Sequence, residues 1–571
     1  MEQSNNIFSL RKRLLAVCCA VTFIFCLLFG RLAYLQINSY SYLQNYALDQ
    51  WTRDLPIRAN RGEIYDRNGV ILATNQTSYD IYLRPRMVEN DEYTAQILSQ
   101  VLGKDKAILL QRISKKSTSE FTVALSVPES VMKSVMSYEL KGVYYSLSSK
   151  RYYPYSELLS QVLGYTTLDG SGLAGIEKYY DDILRGENGK VLTEADLLGM
   201  EIKDGKTFIL NGVDGLDIEL TIDYNVQAIA ENALEIADLS YSPTRASAIV
   251  MDANSGEILA IASTPTVDLN NLPRDDLEKL SFNTRVSAIS DVYEPGSTFK
   301  ILTSAINVEE YLKGNKNSYS LEHVYYSAPT RVVDGQTIKC WDKHKNGKHS
   351  SQDLKKALQN SCNPVFVDIA LKLGKDCMYD YFEKFGLGKT LGIDFLGEAQ
   401  GMLINKFDVK NCDLARIGFG QTIAMTGLQL ISSVCSVVNG GILYKPTLLK
   451  SVLSEDKVLY DFSPVVLSRP ISKETSNIMR EYLLSVVEEG SGIHAKVEGY
   501  LIGGKTGTAQ KYENGTISNK YLSSFIGFYP ADEPRYVCLV MVDEPQGAYY
   551  GSTVAAPVAR QIFEGIINLE N

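Results

Sequence analysis

Residues 14–30 run for seventeen positions without a charged side chain, directly after Arg11-Lys12-Arg13. A helix of roughly 20 apolar residues spans a bilayer, and basic residues flanking it stay on the cytoplasmic side. The expectation is a single-pass anchor over residues 1–40, with its N-terminus inside and everything after it outside. A cleaved signal peptide is the competing reading, but no small-x-small cleavage pattern follows the apolar run. The remainder is long enough, at 571 residues and 45% apolar content, to bury cores in two or three domains. A net charge of −10, with no basic run interleaved with aromatics, excludes a general nucleic-acid binder. Of nine cysteines, Cys18, Cys19 and Cys26 lie in the anchor, while Cys377, Cys412, Cys435 and Cys538 sit in apolar surroundings typical of buried thiols. Only Cys340 and Cys362 remain, too few for a disulfide framework.

Past the anchor, Arg61-Gly62-Glu63-Ile64-Tyr65-Asp66-Arg67-Asn68-Gly69 alternates charged and apolar residues and closes on Asn-Gly, which predicts a hairpin with charged outer faces. Residues 85–150 give mixed helical patterns. The glycines of Gly172-Leu173-Ala174-Gly175-Ile176-Glu177 predict tight turns and close packing. Residues 41–220 are expected to form an elongated, mostly-β platform that carries no chemistry. A new unit over residues 221–571 opens with a helix from residue 225 to 237. Apolar runs at 246–251 and 257–262 flank Asn254-Ser255-Gly256, and three further strand-like runs start at 501, 523 and 536 before a last helix at 555–567. Strands at both ends with helices between them predict an α+β unit whose sheet is assembled from distant segments.

Within that unit, Glu294-Pro295-Gly296-Ser297-Thr298-Phe299-Lys300 places a serine three residues before a lysine, after a Pro-Gly break. A helix starting there sets Ser297 and Lys300 on one face, where the amine can take the hydroxyl proton and terminal N–H groups can stabilise negative charge. The spacing alone is weak, since Ser130…Lys133 and Ser454…Lys457 share it as solvated surface. Two more motifs raise its weight. Ser361-Cys362-Asn363 follows a helical stretch over residues 353–359, and Lys505-Thr506-Gly507-Thr508 ends a strand-like run. Ser281-Phe282-Asn283 imitates the second motif, but Lys-Thr-Gly occurs once. The chemistry suits acyl transfer. Ser297 is the nucleophile and Lys300, held neutral with help from the charge of Lys505, its base. Ser361 can relay a proton to a leaving amine, and Asn363 can hold a substrate amide and Lys300. Lys505, Thr506 and Thr508 can bind a carboxylate, small Gly507 lets a substrate lie along the strand edge, and the N–H groups of Ser297 and Thr508 can form an oxyanion hole.

Ser-x-x-Lys, Ser-x-Asn and Lys-Thr-Gly in this order are the signature of β-lactamases and penicillin-binding proteins. The resemblance extends over nearly the whole chain. It includes Gly30-Arg31-Leu32 with Leu35-Gln36 at the anchor exit, the segments at 61–69, 172–177 and 294–300, Asn439-Gly440-Gly441 followed by Pro446, and Gly503-Gly504-Lys505-Thr506-Gly507-Thr508-Ala509. The chain resembles a class B, monofunctional penicillin-binding protein. Cys362 within the second motif and Cys340 upstream of it resemble the sporulation-specific branch ahead of division and elongation. The resemblance implies a transpeptidase domain built on an antiparallel sheet flanked by helices. It implies D,D-transpeptidation of peptidoglycan stem peptides through an acyl-enzyme on Ser297, acylation by β-lactams, and no cofactor for that chemistry. It also implies a membrane-embedded glycosyltransferase partner of the shape–elongation–division–sporulation kind. The alternatives are a β-lactamase, which must deacylate with a positioned water and has no use for an anchor and platform, and a β-lactam sensor or wall-synthesis scaffold.

Cys340-Trp341-Asp342-Lys343-His344, His349 and Cys362 crowd two thiols, a carboxylate and two imidazoles into one stretch. Thiolate, imidazole and carboxylate are what a tetrahedral Zn²⁺ takes, at loop spacings of this size. Cys340, Asp342, His349 and Cys362 are the candidate ligands of a structural Zn²⁺, with His344 able to replace Asp342 or His349. Two other readings stand beside it: a Cys340–Cys362 disulfide that switches activity, and a buried Cys362 beside solvated histidines.

Overall fold

The computed structural model describes residues 2–38, 52–57, 59–194, 207–341, 349, 351–454, 457–513 and 516–571. The anchor is α1 (Glu2–Asn38). Its stretch Arg13–Ile37 is, among the described residues, the one helix long and apolar enough to cross a membrane. Leu15, Phe23 and Phe29 stand exposed on it, as lipid contact requires.

The chain divides into two compact units. One takes in residues up to Ala59, Thr77–Ser148 and Glu187–Val213. Helices Asp91–Leu102, Lys106–Ile113 and Glu129–Met136 stand beside its strands, the first two started by Asn90 and Asp105, whose side chains accept from Tyr93 N and Ile108 N. Ile81, Leu83, Leu98, Leu109, Ile113 and Val135 form its core. Thr52–Ile57, Gly189–Glu194 and Thr207–Leu210 make an antiparallel three-stranded sheet in the same unit.

The other unit comprises Asn60–Gln76, Ser149–Gly186 and Asp214–Asn571. Its centre is a five-stranded sheet of β1 (Arg245–Asp252), β2 (Ile258–Thr264), β3 (Gly503–Glu513), β4 (Thr516–Tyr529) and β5 (Tyr536–Asp543). The spatial order is β2-β1-β5-β4-β3, antiparallel throughout. Around it lie α2 (Tyr224–Tyr241), α3 (Lys300–Leu312), α4 (Asn363–Lys384), α5 (Gly427–Val438), α6 (Lys473–Glu489) and α7 (Ala555–Glu570). Side chains alternate between the sheet's faces. Ala248, Val250, Phe525, Cys538 and Val540 pack with Ala230 and Leu234 of α2 and Ile562 and Phe563 of α7. Ile249, Met251, Leu539 and Met541 share the opposite core with Ile301, Leu302, Ile431, Val434 and Met479. Both faces are covered, which is why β1 and β5 read as continuous apolar runs.

The hairpin expected at 61–69 is present: Ile64–Tyr65 pairs with 71–73, and Gly69 takes the turn at φ +82. Two of its charges, Arg61 and Asp66, are buried rather than outward, and Glu63 and Arg67 are half-buried. Arg61 Nε and Nη1 meet Glu177 and Asp181 at 2.6 and 2.7 Å, and Arg151 Nε takes the other oxygen of Glu177 at 2.6 Å. Asp66 is fully buried and accepts from Asn68 N, Val70 N and Tyr224 N. The charges can go inside because each meets a fixed partner.

Glu177→Ala strips Arg151 of its carboxylate and leaves Arg61 with Asp181 alone. Its expected cost is about 3–5 kcal/mol, read from denaturant unfolding of the detergent-solubilised chain. Lys133→Ala breaks only an exposed pair with Glu129 at 2.8 Å and is expected to leave the midpoint unchanged.

Candidate active site

Ser297 stands on a 3₁₀ turn, Gly296–Phe299, that runs directly into α3. The turn has close to three residues per revolution, so it eclipses Ser297 and Lys300 more closely than the expected α-helix would. Three attachments hold it. Val292–Tyr293 pairs with Met425–Thr426, Gly296 N donates to Gly420 O at 2.9 Å, and Thr422 N donates to Glu294 Oε1 at 2.8 Å. Gly296 is at φ +56, the left-handed region that glycine enters without strain.

Lys300 is fully buried. Its Nζ donates to Ser361 O at 2.8 Å, Ser361 Oγ at 3.1 Å and Asn363 Oδ1 at 2.7 Å. Asn363 opens α4 and donates through Nδ2 to Lys339 O at 3.2 Å. Ser361 is held at φ +52, a left-handed conformation unusual for serine, at the corner between the short helix Leu354–Gln359 and α4. Burial pushes the Lys300 ammonium down to about 8, while charge on Cys340 and Cys362 pulls it back up. Burial, rather than the charge of Lys505 expected from the motif, is the main cause. Among the described residues no hydrogen bond joins Ser297 to Lys300, whose amine is engaged by the second motif instead.

The third motif lies near the start of β3, not the end of a run: the strand continues through polar residues to Glu513. As an edge strand, β3 pairs on one side only, so apolar patterning fades where the ladder continues. Lys505 is fully buried, donates to Thr506 O at 3.1 Å and lies 3.4 Å from Ser491 Oγ. Burial first, and then the charge of Lys300, pushes its ammonium well down. Thr506 Oγ1 lies 3.3 Å from the same Ser491 hydroxyl, and Thr508 Oγ1 accepts from Gly551 N at 3.0 Å. A Cβ on Gly507 would come within 2.4 Å of Ser524 Oγ and 3.0 Å of Thr298 Cγ2, so this glycine lets the Ser297 turn close onto the strand. Ser491 was not picked out from sequence; its only signal is a polar residue between Gly490 and Gly492 where α6 ends.

Cys340, His349 and Cys362 come together beside the second motif, with ligand atoms all within 4.8 Å of one another. The Cys340 and Cys362 sulfurs are 3.9 Å apart, nearly twice an S–S bond, so no disulfide joins them in this arrangement. Cys340 Sγ lies 3.9 Å from His349 Nδ1, and Ser327 Oγ 2.7 Å from Cys362 Sγ. Hydrogen bonding from Cys340, then from His349 and Ser327, pushes the Cys362 thiol down, while Cys340 is pushed up. Asp342 and His344 lie outside the described residues. Ligand atoms around a tetrahedral Zn²⁺ at its usual 2.0–2.3 Å bonds stand about 3.3–3.8 Å apart, so the three present fit such an ion with small movement.

Residues 246–564 match the family model described as penicillin binding protein transpeptidase domain, and residues 56–220 match penicillin-binding protein dimerisation domain. The chain is 39% identical to stage V sporulation protein D of Bacillus subtilis, over 97% of its own length and 85% of that protein's. It is 30% identical to peptidoglycan D,D-transpeptidase FtsI of Escherichia coli, over 100% and 93% of the two lengths. The crystal structure of a peptidoglycan synthetase from Bifidobacterium adolescentis superposes with a TM-score of 0.72 at 27% identity, covering 91% of this chain and 97% of that one. With a transpeptidase-domain model over more than half its length, a dimerisation-domain model before it and these relatives along nearly all of it, the chain belongs to the penicillin-binding proteins.

Proposed function

We propose that this protein is a membrane-anchored D,D-transpeptidase that cross-links peptidoglycan stem peptides through an acyl-enzyme on Ser297. The observation that carries the reading is the buried Lys300 ammonium. It is lowered to about 8 and fixed on Ser361 and Asn363 one turn from Ser297, as a base must be to work near neutral pH. Lys300 in its neutral form takes the Ser297 proton as Oγ attacks the carbonyl of the penultimate D-Ala. The N–H groups of Ser297 and Thr508 receive the oxyanion, an arrangement worth about 10²–10³ in rate per donor. The proton passes from Lys300 through Ser361 to the leaving amine, and the terminal D-Ala departs. A second stem peptide's amine then attacks the ester, its proton returns along the same route to Ser297, and the cross-link is released. Lys505, Thr506 and Thr508 hold the terminal carboxylate, Asn363 and Gly507 support the peptide along β3, and Ser491 steadies Lys505 and Thr506. A β-lactam follows the first half of this path and stays bound.

The platform over residues 41–220 holds the catalytic residues 221–571 away from the bilayer. Arg11-Lys12-Arg13 keeps the N-terminus cytoplasmic and the catalytic unit outside. The anchor meets a membrane-embedded glycosyltransferase that supplies glycan strands. Likeness to a sporulation protein supports a role in spore or septal wall synthesis. Cys340, His349 and Cys362 hold a structural Zn²⁺, with Asp342 as the fourth ligand. The ion would tie the loop before α4 to Ser361 and Asn363; the acyl transfer itself runs without it.

Ser297→Ala is expected to abolish covalent labelling by fluorescent penicillin with unchanged unfolding behaviour; persistent labelling would remove the nucleophile assignment, and rapid release of label from the wild type would favour a β-lactamase. The acylation rate should fall about tenfold per pH unit below about 8, because protonated Lys300 cannot accept the serine proton. A flat profile from pH 6 to 9 would assign the base elsewhere. Elemental analysis of protein purified without chelator should give about one zinc per chain, lost in Cys340→Ser; no zinc with both thiols oxidised would end the metal reading.

A further inference from the structure

We infer that Glu294 is a positioning residue: its carboxylate clamps the loop Gly420-Gln421-Thr422 against the 3₁₀ turn and so sets the direction of Ser297 during acylation. The inference rests on the acyl-enzyme reading above and assigns a part to a residue outside the three motifs. Thr422 is β-branched yet sits at φ +62, a left-handed conformation that such side chains avoid. What holds its backbone there is the 2.8 Å hydrogen bond from Thr422 N to Glu294 Oε1. Glu294 has no cation within ion-pair distance among the described residues; the charge of Arg416 reaches its carboxylate from further off, and the Thr422 N–H is the hydrogen bond that fixes it.

The clamp reaches the nucleophile by a short route. A Cβ on Gly420 would fall 2.1 Å from Gly296 O, so loop and turn are already in backbone contact there, and Gly296 N donates to Gly420 O. Gly296 in turn lies against β3, where an added Cβ would meet Thr508 O at 3.3 Å. A displaced loop therefore moves the residue before Ser297 relative to Thr508, the two sides of the proposed oxyanion hole. A cavity of about 360 Å³ is lined by Tyr293, Glu294 and Ala509 among others, so the segment leading into the turn borders open space rather than packed side chains.

The test is the acylation of full-length protein in detergent by labelled penicillin, resolved into the non-covalent constant Ks and the acylation rate k2. Glu294→Ala should lower k2 tenfold or more, since a small misplacement of the nucleophile is that costly, while Ks stays within about threefold. Glu294→Gln, whose amide oxygen still accepts, should keep k2 within about threefold and leave the shape of the pH profile unchanged. Thr422→Gly combined with Glu294→Ala should restore most of the lost rate, because glycine holds the φ without help. An unchanged k2 in Glu294→Ala overturns the inference. So does a slow Glu294→Gln, or a double variant as slow as Glu294→Ala, since the carboxylate would then act by its charge or on the substrate. If Glu294→Ala does not fold, Glu294→Asp, too short to reach Thr422 N, takes its place with the same expectation and the same overturning result. A wild type that takes up no label defeats the acyl-enzyme reading instead, which keeps the two failures apart.

Discussion

The organisation of the catalytic unit depends on one buried ammonium group without a carboxylate partner among the described residues. Lys300 is sealed from water, and among the described residues no carboxylate lies within ion-pair distance of it. Instead a carbonyl, a hydroxyl and an amide oxygen from a single corner of the chain receive its protons. A carboxylate at that place would stabilise the charged form and hold the amine protonated. Neutral acceptors satisfy the donors while leaving burial free to favour the uncharged amine. The cost falls on the corner, where Ser361 takes a left-handed backbone so that its carbonyl and hydroxyl can face the same nitrogen.

Lys505 extends this logic. Its ammonium is pushed down by burial and then by the charge of Lys300, so an anion arriving at β3 would favour the charged form again. The thiols near Lys300 act in the opposite sense. Any event that neutralises charge on Cys340 and Cys362 therefore reaches the base without touching it.

Much of this was legible in the residues. The five strands came from apolar runs that both faces of the sheet require, the anchor from its lack of charge, and the site from three motifs whose order is hard to reach by chance. What escaped was conformational or long-range. Nothing in Ser361-Cys362-Asn363 announces a positive φ, and nothing in Glu294-Pro295-Gly296 announces a 3₁₀ entry to the helix. The polar run of β3 after Thr508 hid the strand's true length, because an edge does not need an apolar alternation. Arg61 and Asp66 looked like surface because their partners, Glu177 and Tyr224, are far away in sequence. Ser491 had no pattern at all; only the approach of α6's end to β3 gives it a place.

The strand order carries a further consequence. β1 and β2 precede Ser297 in the chain, whereas β3, β4 and β5 close the sheet from the far end, and Gly507 must arrive before the Ser297 turn has anything to close onto. A nascent chain that has emerged only as far as Ser297 and Lys300 holds a serine and a lysine but no active site. The three motifs meet only once the segment from Gly503 to Asp543 has joined the sheet, with β5 beside β1 and β3 at the edge.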